Sequence, residues 1–303
     1  MAAADGLAPA SGSEPPRPPR DDRRALRTVG FVIGLGFLGA AVLAVSRQGD
    51  LVSDALAHVR SAGPGRIIAL GIAVLGNIVL SGLTFSVLMD RFGTVGRGEM
   101  VALIGASGLL NFLPLRAGLL GRVAYHKAVN GIPATASLRV LLEALVISLT
   151  VAAWMLGAAL LAGVTAIPLW GLVLAPVVLL VIGAVRGALR PWCLAAILRF
   201  AEMLIWALRY DLAFDLIGKP IDVTAAIGCA GVAVVSMLVP FVGNGLGVRE
   251  WAIGLFAPFL SENALAAGLT ADLMNRAIEI PVIAAFGLVA IGWIVARRRA
   301  ATR

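Results

Sequence analysis

The sequence predicts an all-α, polytopic membrane protein with no water-soluble domain. Hydrophobic residues make up 60% of the 303 residues, charged residues make up only 14%, and the mean hydropathy is +0.95. Long apolar runs follow one another along the chain, separated by short segments that contain arginine or aspartate. Soluble domains carry about 25% charged residues, so this composition fits a chain that folds in lipid.

The two ends of the chain are predicted to lie in the cytoplasm. Residues 1–27 are rich in proline and arginine and lack apolar periodicity, which predicts a disordered tail. Arg297, Arg298 and Arg299 follow the last apolar run and begin the basic tail 297–303. Because lysine and arginine accumulate on the cytoplasmic side, both tails are expected there, with residues 28–296 in the cytoplasmic (inner) membrane.

The net charge of +8 is interpreted as this orientation signal rather than as a nucleic-acid surface, because many of the basic residues lie beside apolar runs. No nucleic-acid partner is therefore expected. Cys193 and Cys229 lie within apolar stretches, and His58 and His126 are the only histidines. No zinc pattern exists in such a set, so neither a metal nor a cofactor is expected.

Six apolar runs are predicted to cross the membrane. A crossing helix needs about 20 residues, since it rises about 1.5 Å per residue through about 30 Å of hydrocarbon. The predicted crossings are Thr28–Val45, Arg66–Met89, Leu138–Val164, Pro168–Val185, Trp192–Leu208 or slightly beyond, and Ala271–Ala296. The first is read as an uncleaved span, although Ala44-Val45-Ser46 leaves a signal-peptide cleavage site open. The polar segment 47–65, with the amphipathic piece Leu51–Val59, is expected outside the cell.

Two further stretches are predicted to form re-entrant hairpins. Met100–Leu113 is too short to cross and is stopped by Pro114. Val223–Val239 is stopped by Pro240 and a glycine run, and Trp251–Leu260 after it is again too short. An interrupted apolar stretch of this kind is typical of a segment that enters and leaves the bilayer on one side.

The order of span, hairpin and span occurs twice, in residues 66–164 and in residues 192–296. The first unit starts from the outside and the second from the inside, which predicts an inverted repeat. Inverted repeats whose broken helices meet near the midplane are an architecture of carriers, because the two halves exchange outward and inward openings.

Thirteen residues are predicted to bind a substrate, because they lie at the two breaks or place charge inside a span. Interrupted helices expose backbone donors and acceptors, and the planar guanidinium of arginine suits phosphate. A charge within the bilayer costs a few kcal/mol or more unless it is paired. The predicted residues are Asn111, Pro114, Arg116, Gly118, Arg122, Glu143, Glu202, Gly243, Gly245, Gly247, Arg249, Glu250 and Arg276.

Structural roles for the same charges remain open. Arg199 and Glu202, and likewise Arg276 and Glu279, are three residues apart and can pair on one helix face. Arg122, next to a cytoplasmic loop, can equally extend to the interface and bond to nearby carbonyl groups.

The two interrupted segments resemble the signature segments of the lysylphosphatidylglycerol synthase membrane-region family, also called flippase-like proteins. They are Asn111-Phe-Leu-Pro-Leu-Arg-Ala-Gly118 and Pro240-Phe-Val-Gly-Asn-Gly-Leu-Gly-Val-Arg-Glu250. Glu143, Glu202 and Asn275-Arg276 extend the resemblance over residues 28–296. The chain departs from the family where members often carry Glu-Arg, because Ala144 follows Glu143.

The resemblance implies a membrane module that flips an aminoacylated phospholipid, or that serves lipid or lipid-linked sugar pathways. The expected function is therefore to bind and translocate an anionic phospholipid or a lipid-linked sugar, beside a separate synthetase or glycosyltransferase. One alternative is a non-transporting partner or regulator of such an enzyme. A membrane-embedded lipid transferase is disfavoured, since Asp211 and Asp215 form the only acidic fragment of the kind that binds Mg²⁺. The chain itself is not expected to be an enzyme.

Overall fold

The computed structural model describes residues 32, 35–47, 49–112, 117–164, 171–237 and 243–301. These residues form eleven α-helices, two short 3₁₀ turns and no strand. The helices are α1 (Leu35–Ser46), α2 (Gly49–Ser61), α3 (Pro64–Met89), α4 (Arg97–Leu110), α5 (Ala117–Val129), α6 (Ala134–Val164), α7 (Gly171–Val185), α8 (Arg190–Leu216), α9 (Val223–Ser236), α10 (Val248–Leu260) and α11 (Leu265–Ala301).

Four of these helices are long and apolar enough to cross a membrane, which indicates a multi-pass membrane protein. The candidate spans are Pro64–Met89, Ala134–Ala162, Gly187–Leu216 and Leu265–Arg297. They coincide with four of the six predicted crossings. The third of them continues to Leu216, past the predicted end near Leu208, so Asp211 and Asp215 lie within the helix rather than after it.

The other two predicted crossings fall partly outside the described residues. The described part of the first is the apolar helix Leu35–Ser46, and that of the fourth includes the apolar helix Leu174–Val185. Residues 1–31 and 165–170 lie outside the described ranges. The short amphipathic piece is observed as α2, in which His58 lies against Gly218 in the loop after α8.

The helices form two units with the same order of elements: a long helix, a pair of short helices and a second long helix. The first unit comprises α3, α4, α5 and α6, and the second comprises α8, α9, α10 and α11. Packing between the units is reciprocal, because α4 lies on α11 of the other unit while α9 lies on α6. The first helices of both units, α3 and α8, pack against each other.

The two leading helices run antiparallel. Arg66 near the start of α3 pairs with Asp215 near the end of α8, at 2.8 Å. Further along α3, Ser81 accepts a hydrogen bond from Arg199, which lies earlier in α8. Rising residue numbers in one helix therefore meet falling numbers in the other.

The short helices α4 and α5 fold back on each other as a tight hairpin. The Ser107 hydroxyl donates to the carbonyl oxygen of Gly118 at 3.0 Å. A Cβ atom on Gly118 would lie 2.1 Å from the Ser107 carbonyl oxygen, so only glycine permits this approach. In the second unit, α9 and α10 also pack together, and Gly245 lies against Met237.

Candidate functional site

A network of buried charges lies where the second unit meets the middle of α3. Three guanidinium groups, from Arg209, Arg249 and Arg276, pair with three carboxylates, from Asp272, Glu279 and Glu250. All six side chains are at least nine-tenths buried. Their formal charges sum to zero, so the network compensates its own charge in a region of low polarity.

Arg249 is at the centre of this network. Its Nε lies 3.0 Å from Asp272 and its Nη2 lies 2.8 Å from Glu279. Asp272 also accepts a hydrogen bond of 2.7 Å from the Tyr210 hydroxyl. The helix α10 begins at Val248, directly after the glycine break, and this start places Arg249 in the first turn facing α11.

Arg209 connects the network to the first unit. It donates to the side-chain oxygen of Asn275 at 2.9 and 3.1 Å and to that of Asn77 at 3.1 Å. Its guanidinium also lies 3.8 Å from the ring centre of Trp206. Asn77 is near the midpoint of the span α3, so the network lies near the middle of the candidate spans.

The second break contacts both the network and the first hairpin. Asn244, Gly245 and Gly247 adopt positive φ angles of 49°, 65° and 78°, which interrupt the helix between α9 and α10. The carbonyl oxygens of Asn244 and Gly245 accept from Arg276 at 3.4 and 3.5 Å. The Asn244 side chain donates to the carbonyl oxygen of Gly108, in α4, at 3.4 Å. The two hairpins therefore meet next to the network.

Several buried polar atoms of this region have no hydrogen-bond partner among the described residues. They include Nη1 of Arg249, Nη1 of Arg276, Oε2 of Glu250 and Nδ2 of Asn275. A buried donor without a partner costs about 1–3 kcal/mol. The network is thus balanced in charge but retains unused donors and acceptors.

A second polar region lies beside α5, near the end of α3. The guanidinium of Arg122 is 3.9 Å from the ring centre of Phe85, and that of Arg199 is 5.6 Å from the same ring. Arg199 pairs with Glu202, whose backbone carbonyl accepts from Asn77 at 3.0 Å. For Arg122, the described residues provide a ring contact but no hydrogen bond or ion pair.

Glu99 organises the end of the first hairpin. Its carboxylate accepts hydrogen bonds from Tyr125 at 3.1 Å and Asn130 at 3.0 Å, and it pairs with Arg297 at 3.2 Å. His126 contacts Asn130 through Nδ1, and burial is the main cause that lowers the pKa of this imidazole. Burial therefore disfavours the protonated ring next to Arg122.

A large apolar cavity opens between α6, α7 and α8. Its volume is about 950 Å³, and the residues around it are almost all hydrophobic. Trp154, Leu174, Trp192 and Phe200 are among its lining residues. Phe200 follows Arg199 directly in α8, so the cavity and the second polar region share a turn of one helix.

Six of the residues predicted to bind a substrate lie at or beside the second break. Arg249, Glu250 and Arg276 belong to the charge network, and Gly245 and Gly247 form the break beside it. Gly243 lies in the same break, as the first residue of its 3₁₀ turn. The local pair between Arg276 and Glu279, which the spacing left open, is not formed: Arg276 pairs with Glu250 of α10, and Glu279 pairs with Arg209 and Arg249.

The predicted residues of the first unit are more dispersed. Asn111 caps the end of α4, and its side-chain oxygen is buried without a partner among the described residues. Gly118 serves the hairpin contact, and Pro114 and Arg116 lie outside the described residues. Glu143 lies in α6, where it pairs with Arg91, which follows the end of α3, and with Arg139 of its own helix.

The other pair that the spacing left open, between Arg199 and Glu202, is formed.

Comparisons with protein families, curated proteins and solved structures find no match to this chain.

Sequence reasoning missed Arg209, Asp272, Asn77 and Phe85. Arg209 directly follows the predicted crossing Trp192–Leu208, yet it is 1% exposed. Asp272 lies at the start of a predicted crossing, where a lone carboxylate is a signal of a buried partner. Asn77 and Phe85 belong to an apolar run and give no comparable signal.

Proposed function

We propose that the protein binds a phospholipid or lipid-linked molecule with an anionic head group and translocates it across the cytoplasmic membrane. The observation that carries the proposal is the buried network of three arginines and three carboxylates at the point where the two hairpins meet. Ionisable side chains inside a membrane are rare and mark substrate or ion paths. The resemblance of both interrupted segments to flippase-like proteins supports the same function.

The proposed architecture is an inverted repeat of six crossings and two re-entrant hairpins, with both termini in the cytoplasm. Reciprocal packing of α4 on α11 and of α9 on α6 supports a two-fold relation between the units. The antiparallel contact of α3 with α8 supports opposite orientations in the membrane. In carriers of this type, interrupted helices provide backbone groups to a site at the repeat interface.

The apolar cavity gives the proposal a place for the hydrocarbon part of the substrate. It lies between α6, α7 and α8 and is lined almost entirely by apolar side chains. A lipid needs both an apolar surface for its chains and polar groups for its head group. The cavity and the polar residues of α8 supply the two kinds of surface side by side.

Lipid exchange in reconstituted vesicles tests the proposal. Vesicles with a fluorescent phosphatidylglycerol in both leaflets are treated with an external quencher, and exchange is measured as the fraction quenched beyond the outer leaflet. We expect wild-type protein to raise this fraction above that of protein-free vesicles. Wild-type vesicles that match protein-free vesicles, for phosphatidylglycerol and for a polyprenyl-linked sugar, would rule out translocation.

A pair of double variants separates transport from folding. Arg276→Gln with Glu250→Gln removes one buried ion pair without changing the net charge, and we expect exchange to fall to the protein-free level. Arg66→Gln with Asp215→Asn removes a partly exposed pair in the same way and should leave exchange unchanged. Both variants must show a native elution profile and helix content for the comparison to hold.

A second function is favoured by the charge balance of the network. Because its six charges cancel, the network also suits a rigid partner or regulator of a lipid- or glycan-synthesis enzyme. That function predicts stable binding of a separate synthetase or glycosyltransferase together with no lipid exchange. The vesicle experiment therefore discriminates the two functions directly.

A further inference from the structure

Arg122 is a buried cation without a counter-charge. Its side chain lies on the face of Phe85, and the residue is 8% exposed. Among the described residues it makes no ion pair and no hydrogen bond. The six residues between α4 and α5, Asn111-Phe-Leu-Pro-Leu-Arg116, include no aspartate or glutamate.

A second guanidinium lies close to the same ring. The guanidinium of Arg199 is 5.6 Å from the ring centre of Phe85, and its carboxylate partner is Glu202. The group therefore contains two arginines and one carboxylate, with a net charge of +1. Two cations held near one ring repel each other, and an uncompensated buried charge destabilises a fold.

The central network shows what this chain does elsewhere with buried arginine. There every guanidinium has at least one carboxylate, and the charges cancel. The α5 region departs from that pattern by one negative charge. A bound anion would supply the missing charge.

We propose that Arg122 and Arg199, positioned on Phe85, bind the phosphate of an anionic lipid head group. This inference rests on the proposed function, because it assigns the head-group site of the translocated lipid. A guanidinium presents parallel N–H donors that match two phosphate oxygens, and aromatic stacking holds its plane in place. A phosphate diester carries one negative charge, which equals the deficit of the group.

The position of the group suits a head group that enters from one membrane face. Phe85 is four residues before the end of α3, which corresponds to about 6 Å along the helix axis. Arg91 and Arg97 follow that end. Phe200, adjacent to Arg199, lines the apolar cavity, so the hydrocarbon chains of a lipid have an apolar surface nearby.

Thermal unfolding of the purified full-length chain in a neutral detergent measures binding at this site. The probes are dihexanoyl phosphatidylglycerol, dihexanoyl phosphatidylcholine and sodium phosphate, each titrated at constant ionic strength. We expect phosphatidylglycerol to raise the unfolding temperature of the wild type in a saturable manner. If only sodium phosphate raises the unfolding temperature, the site binds an anion but its assignment to a lipid is wrong.

The decisive variant is Arg122→Gln. Because it removes an uncompensated charge, we expect the ligand-free protein to unfold at the same or a higher temperature than wild type. The affinity for phosphatidylglycerol should fall about tenfold or more, since charge-assisted hydrogen bonds are lost. Arg122→Lys keeps the charge but loses the fork, so it should fold normally and bind more weakly.

Arg186→Gln is the control, because Arg186 is an exposed arginine near the start of α8 and contacts neither Phe85 nor Arg199 among the described residues. It should leave both the unfolding temperature and the affinity unchanged.

Wild-type affinity in Arg122→Gln, or a wild type that no anionic probe stabilises, would overturn the site. If the wild type exchanges lipid in vesicles and Arg122→Gln binds phosphatidylglycerol normally, this site is wrong but translocation stands. If Arg122→Gln abolishes binding and the wild type exchanges no lipid, the site stands but translocation is wrong.

Discussion

The two polar regions of the molecule treat buried arginine in opposite ways. At the second break, Arg249 and its neighbours are matched by carboxylates from α10 and α11. In the first hairpin, Arg122 has an aromatic ring in place of a carboxylate. Charge balance holds a structure together, whereas a missing charge leaves room for a ligand. Under the proposed function, the network around Arg249 serves mainly as a framework, and the region around Arg122 serves as the site that binds the head group.

Removal of Arg249 tests the framework and should have the largest effect. Arg249→Ala leaves Asp272 without its guanidinium partner and Glu279 with only Arg209, so we expect a loss of about 3–5 kcal/mol in unfolding free energy. Thermal unfolding in detergent measures it. Arg249→Met combined with Asp272→Asn should recover part of the loss, because it removes a carboxylate with the cation.

The partly exposed pair of Arg139 and Glu143 provides the comparison. Arg139 is 63% exposed at its side chain, and such pairs contribute about 0–1 kcal/mol. We therefore expect Arg139→Gln to leave the unfolding temperature nearly unchanged. A loss as large as that of Arg249→Ala would show that the buried network has no special role in stability.

The close approach within the first hairpin gives a smaller effect. Gly118→Ala forces a methyl group against the backbone of Ser107, which cannot yield as a flexible side chain does, so we expect a cost of about 1–3 kcal/mol. Gly121, one turn later, has open space around its Cα. Gly121→Ala should be neutral or stabilising by up to about 1 kcal/mol, because alanine favours helix more than glycine does.

Equal unfolding temperatures for Gly118→Ala and Gly121→Ala would contradict the tight hairpin. The Arg122 site predicts a further difference. Since Arg122 lies on α5, a displaced hairpin should weaken the binding of phosphatidylglycerol in Gly118→Ala and leave it intact in Gly121→Ala.

Helices long enough to span the membrane were predictable from the sequence, because each consists of an apolar run of sufficient length. The breaks were also predictable from proline and glycine, and the structure interrupts the second at Asn244, Gly245 and Gly247. Hydropathy indicates only which residues enter lipid. It contains no information about which helix faces which.

The partners of the charges could not be predicted for that reason. Arg276 and Glu279 share one helix, and their spacing suggested a pair, but α10 brings Glu250 closer to Arg276. Arg209 lies just past the predicted end of its crossing, and only the packing of α8 on α3 and α11 shows that it is buried. Local spacing sets which pairs are possible, and tertiary packing selects among them.

The last prediction concerns Asn244, which joins the charge network to the first hairpin. Its φ of 49° is unfavourable for alanine by about 1–2 kcal/mol but not for glycine, while both substitutions remove the side-chain bond to Gly108. Asn244→Ala should therefore lower the unfolding free energy by about 1 kcal/mol, and Asn244→Gly should leave it nearly unchanged. Lipid exchange separates the strain from the contact. If the contact between the hairpins couples their movements, both variants slow exchange to the same extent although only one is less stable. Slower exchange in Asn244→Ala alone would mean that backbone strain, rather than the link to the first hairpin, explains the defect.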